Sequence, residues 1–102
     1  MTEAPYTRIS EITVNDLAEY LRITELVGSE IQLLTTIKAA AVKYIVGVTN
    51  LTEAKLDDYP DLTLVLYLLV QDMYDNRTIY IDKGNLSDTV TTILNMYRTN
   101  LL

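Results

Sequence analysis

Apolar residues recur along the chain at helical spacing. Val14, Leu17, Ala18 and Leu21 form one stripe, and Ile31, Leu34, Ile37, Ala41 and Ile45 form a longer one. Val90, Ile93, Leu94 and Tyr97 repeat at i, i+3, i+4 and i+7. These stripes predict amphipathic helices over about 14–22 and 30–46, and one more near the carboxyl end. Between Leu62 and Val70 eight of nine residues are apolar or Tyr, so that segment is expected to be buried nearly all round. Periodicity alone does not separate helix from strand there. Pro60 at its start, the continuation Gln71-Asp72-Met73-Tyr74 and its length favour a helix over about 60–75.

Start and stop signals sharpen these bounds. Thr13-Val14-Asn15-Asp16 fits a capping box with Asp in place of Glu, and Ile12 and Leu17 sit where a hydrophobic staple would. Ser29-x-x-Gln32 supplies a second capping box, and Gly47 a left-handed stop. Ala39-Ala40-Ala41 would let a neighbouring backbone approach closely. Thr52-Glu53-Ala54-Lys55 suits a single helical turn. Asp57, Asp58 and Asp61 suit the positive end of the helix that Pro60 opens.

The remaining segments lack a sustained period. Residues 1–12, which include Pro5, read as an extended arm with no helix. Thr78-Ile79-Tyr80-Ile81 is short and β-branched, and Asp82-Lys83-Gly84-Asn85 is turn chemistry, so a short extended segment or hairpin is expected there. Ser87 or Asn85 then caps the last helix. The expected fold is all-α: one small four-helix domain over 13–102, packed around the central apolar helix, behind a 1–12 arm.

Length and composition narrow the function. A chain of 102 residues supports one core that buries roughly 65% of its unfolded surface. Fourteen acidic against eight basic residues give a net charge of −6, the wrong sign for gripping phosphate backbones. Cysteine and histidine are both absent, which removes thiol nucleophiles, imidazole bases, disulfides and almost every zinc or haem site. No basic n-region opens the sequence and no apolar run reaches roughly 18 residues, so residence in the cytoplasm without membrane contact is expected. All eight aromatic residues are tyrosines, which suit both core margins and surfaces buried on assembly.

Catalytic chemistry finds little support. Asp57, Asp58 and Asp61 form the one dense carboxylate group. It reads as charge at a helix amino end, with a hard-metal site as the alternative that would make an enzyme. Ser10, Ser29 and Ser87 lack a nucleophile-elbow context and a histidine to activate them. Gly28, Gly47 and Gly84 are isolated, so neither a phosphate loop nor a dinucleotide fingerprint can be built. No catalytic, cofactor or metal residue is therefore expected. Arg77 and Arg98 each close a helical stretch, where they complement the helix dipole or pair with a neighbouring subunit.

The order of these features resembles a known family. A capped short helix ends in Glu19-Tyr20-Leu21-Arg22-Ile23 and is followed by an alanine-rich amphipathic helix. Pro60 opens an apolar helix that closes on Tyr74-Asp75-Asn76-Arg77, and a final helix ends in Tyr97-Arg98. That layout, over about residues 12–98, is similar to the head–tail connector family of tailed phages, also associated with DNA packaging and head completion. The resemblance implies a non-enzymatic virion protein at the head–tail junction, made in the host cytoplasm. It implies a homo-oligomeric ring, typically dodecameric, beneath the portal protein and in contact with the next head- or tail-completion protein. DNA would pass through that channel without sequence-specific binding. The family has no catalytic residues to carry over, and the short Thr24–Ser29 link departs from the longer acidic stretch common in it. Subunit or portal contacts are expected from Tyr6 in the arm, from Arg77, Thr78, Ile79, Tyr80, Ile81, Asp82 and Lys83, and from Arg98. The competing reading is a soluble acidic adaptor or regulatory protein that binds a host or phage protein through a tyrosine-bearing groove.

Overall fold

The computed structural model describes residues 7–77 and 86–100, with side chains as far as Tyr97. The fold is all-α. A 3₁₀ turn, Ile9–Glu11, precedes helices α1 (Val14–Tyr20), α2 (Gly28–Thr49), α3 (Glu53–Leu56), α4 (Pro60–Asn76) and α5 (Asp88–Asn100). No strand occurs among the described residues. The extended segment expected at 78–81 and the arm as far as Tyr6 lie outside them.

The predicted box at Thr13 forms. Its hydroxyl accepts from the Asp16 amide at 3.1 Å, while the Asp16 carboxylate accepts from the Thr13 amide at 2.9 Å. Helix α1 stops at Tyr20, short of the expected 22, because Arg22 turns left-handed at φ 62°. The Ile23 amide then bonds to the Ala18 carbonyl and the Arg22 amide to that of Glu19, a Schellman closure with arginine where glycine is usual.

Two expectations for α2 are corrected. It begins at Gly28 with Val27 as a cap lacking any side-chain bond, so the Ser29 box does not form. Gly47 does not stop it; the helix runs to Thr49, and Asn50 takes the left-handed position at φ 60°. Asn tolerates that conformation at low cost, so the glycine three residues earlier is not needed for it. Helix α4 starts at Pro60 as expected and ends at Asn76, one residue beyond the reading, with Arg77 left-handed at φ 53°.

Helices α2 and α4 form the central pair. They run antiparallel, since Glu30 at the start of α2 meets Tyr74 and Arg77 at the end of α4. Leu34, Ile37, Ala41 and Ile45 are fully buried on α2, as are Leu62, Val65, Leu66, Leu69, Val70 and Met73 on α4. Helix α5 adds Val90 and Leu94 from one side; α1 adds Leu17 and Ala18 from the other. Helix α4 is not buried all round, however. Leu64 is 46% exposed, and Tyr67 and Leu68 are half-buried, because no described element covers its outer face.

Residues 7–12, the described part of the expected extended arm, carry a 3₁₀ turn and pack down as a strap. Ile9 and Ile12 are buried in the common core. The Ser10 amide and hydroxyl both donate to the Asp57 carboxylate, at 3.0 and 2.6 Å. Thr63 donates to the Thr7 carbonyl and Lys38 to that of Ile12. These bonds tie the strap to α2, α4 and the segment after α3.

By length and a mean hydropathy of 1.4, α2 would be able to cross a membrane. Its buried residues Leu34, Ile37, Ala41 and Ile45 pack in the core, Lys38 and Lys43 lie along the same helix, and most of the apolar stretch stays outside the core.

Truncating the seam should be far costlier than truncating its outer face. Leu66→Ala is expected to destabilise by about 2–5 kcal/mol, and the exposed Leu64→Ala by less than about 0.5 kcal/mol, in urea unfolding. Equal losses would contradict this packing.

Candidate interaction surfaces

Tyrosine hydroxyls link the helices. Tyr97 on α5 donates to Asp61 on α4 at 2.6 Å, and its ring meets Tyr59 edge-on with centroids 5.4 Å apart. Tyr74 on α4 donates to Glu30 on α2 at 2.9 Å. Tyr20 on α1 donates to Gln71 on α4 at 2.9 Å and packs against Tyr67 at 4.8 Å. Burial raises the hydroxyl pKa of Tyr97 and Tyr74 above the usual tyrosine value, reinforced by the carboxylate each one bonds. Arg77 opposes the effect at Tyr74. Burial also raises that of Tyr67, with the negative charges of Asp16 and Glu19 acting in the same direction.

The same bonds settle what Asp57 and Asp61 do within the fold. One fastens the strap through Ser10 and the other fastens α5 through Tyr97. Asp61 also stands in the first turn of α4, where the dipole reading placed it. No group of three or more metal-ligating side chains converges among the described residues.

Of the residues expected at an interface, Arg77 is the one whose side chain is described. It follows α4 with its side chain 58% exposed, 3.6 Å from Glu30 and 4.4 Å above the Tyr74 ring. It therefore has partners within its own chain. Thr78, Ile79, Tyr80, Ile81, Asp82, Lys83 and Tyr6 lie outside the described residues, and Arg98 is placed in α5 by its backbone alone.

Two outward surfaces escaped the sequence reading. One is the outer face of α4 with the adjoining end of α1, where Leu64 and Tyr20 are 46% and 41% exposed beside Tyr67. Leu64 was hidden within the apolar run 62–70, which gave no sign of an open face. The other is a groove of about 500 Å³ along α2, floored by Ala39, Val42 and Val46 and bordered by Lys38, Lys43 and Glu53. The alanine run signalled a close approach; only Ala41 of the three faces the buried seam fully.

Compared with known proteins, the chain matches no family model, no curated protein and no solved structure.

The tyrosine bonds give a signed pH dependence. A hydroxyl whose pKa is raised by folding keeps its proton in the native state while the unfolded chain loses it near pH 10. The associated stability is present in full below about pH 10 and is lost as pH rises through the native values. Unfolding free energy should accordingly fall in urea titrations above pH 10, and fall less in Tyr97→Phe. At neutral pH that variant should lose about 0.5–1.5 kcal/mol with its hydrogen bond.

Proposed function

We propose that this protein is a structural virion protein that forms a ring beneath the portal at the head–tail junction of a tailed phage, extending the DNA channel. The observation that carries the reading is the order of the helices. A capped short helix, a long alanine-bearing helix, a Pro-opened apolar helix closing on Arg77 and a final helix follow one another as the resemblance implies. The flat shape, 43 × 43 × 20 Å, is compatible with subunits set side by side around an axis.

Charge supports the same role. An excess of six negative charges repels phosphate, so a channel wall built from such subunits lets DNA slide without adhering. The job needs shape, charge and self-association, with no reacting group. The ring would present one rim to the portal and the other to the next completion protein.

The mass of the purified protein at low and high concentration, by light scattering with negative-stain images, tests this together with binding to purified portal. A closed ring, alone or assembled on the portal, is expected. A compact two-fold dimer that ignores the portal would overturn the reading in favour of an adaptor.

A further inference from the structure

We propose that successive copies of this chain dock head to tail, the α2 groove of one copy receiving the α4 outer face of the next. Ala39 and Val42 would meet Leu64 and Tyr67. This rests on the ring reading for its biological purpose, but its physical argument comes from the two surfaces.

Their placement comes first. At 100° per residue, Ala39, Val42 and Val46 lie about 95–155° around α2 from its buried stripe. Leu64 and Tyr67 lie about 120–180° around α4 from its own. Because the buried stripes of the two helices face each other, both surfaces point away from the seam and neither covers the other. Contact between two unlike surfaces is heterologous and can propagate from copy to copy.

Shape and chemistry then match. The α2 side is concave and is lined by small and β-branched side chains, whereas the α4 side presents a leucine and a tilted tyrosine pair. Aromatic and aliphatic anchors entering a recess are the usual centre of a protein interface.

Charge selects a second copy as the occupant. Asp16 and Glu19 stand close enough to Tyr67 to act on its hydroxyl, giving the α4 side an acidic border. The α2 groove carries two lysines against Glu53, in a chain with an excess of acids. Lys38 is committed to the Ile12 carbonyl, but Lys43 is exposed and has no ion-pair partner among the described residues. A two-fold contact of the α4 surface with itself would instead bring its acidic border against an identical one, and like charges oppose it.

Disulfide trapping tests the contact in the full chain, which has no cysteine of its own. Ala39→Cys or Val42→Cys protein is mixed with Leu64→Cys protein and oxidised, the two groove positions allowing for a shift in register. The exposed Thr92→Cys on α5 measures random collision. The groove-to-Leu64 link should form at least about tenfold faster than either partner links to Thr92→Cys, reflecting the raised local concentration of docked surfaces. Lys43→Glu in the groove partner should slow it, and Glu19→Lys in the other partner should restore it. Linking no faster than the collision control at both groove positions would overturn the interface, as would Leu64→Cys linking to itself as fast as to the groove. Rings seen without the link would overturn this interface and leave the ring reading intact. Fast linking in a protein that ignores the portal would uphold the interface and count against the virion role.

Discussion

The antiparallel seam between α2 and α4 is the constraint on which the rest of the domain depends. Neither helix would hold its shape alone in water, because helical stability in proteins comes mainly from burial of an apolar face. Here Leu34, Ile37 and Ile45 meet a facing set that includes Leu62, Leu66 and Leu69, all fully buried. Each such side chain contributes about 1.5–3 kcal/mol when removed from water. Helices α1 and α5 then close the seam from its two sides, and the 7–12 strap crosses both partners. What the arrangement leaves open is equally determined. Covering both sides of a two-helix layer leaves its edges, and those edges are the outer faces of α2 and α4.

The tyrosines solve a problem that the charge balance creates. With fourteen acids and eight bases, there are too few cations to pair every carboxylate near the core. A phenolic hydroxyl is a neutral donor on an apolar body, so it can satisfy a half-buried carboxylate without adding a charge to be desolvated. Glu30 and Asp61 are both held this way, each across a helix–helix contact. A phenylalanine would pack as well but leave the carboxylate short of a donor. The ion pair of Arg77 with Glu30 is added to such a tyrosine bond.

Sequence reading recovered what is local and periodic. The Thr13 box, the Pro60 start and the stripe on α5 depend on residues within a turn or two of one another, and each stands where expected. It failed where tertiary contacts decide. Gly47 is the better left-handed residue by propensity, yet the buried Thr49 bonds back to Ile45 and the helix continues to Thr49, leaving Asn50 as the left-handed cap. Ile9 and Ile12 gave too short a pattern to reveal a strap whose anchor, Asp57, is 47 residues from Ser10. The left-handed arginines at 22 and 77 carry no mark in the sequence, since most such positions are glycine. The expected interface residues drew on short β-branched and turn patterns. The surfaces that the structure leaves uncovered depend instead on which side of each helix its neighbours occupy.

Two unlike faces on one rigid helix pair fix the geometry of any assembly they build. In a head-to-tail assembly each copy is rotated relative to the last by an angle fixed jointly by the contact and by the angle between the two faces within a copy. The second of these is set by how α2 crosses α4, deep in the core. Twelve copies close only if each step turns by about 30°, and a small change in that crossing would open the ring into a helix. Under the proposed interface, the seam that stabilises the subunit thus also helps set the number of copies. A core substitution that preserves every exposed residue could therefore alter the assembly's symmetry without touching a contact between copies.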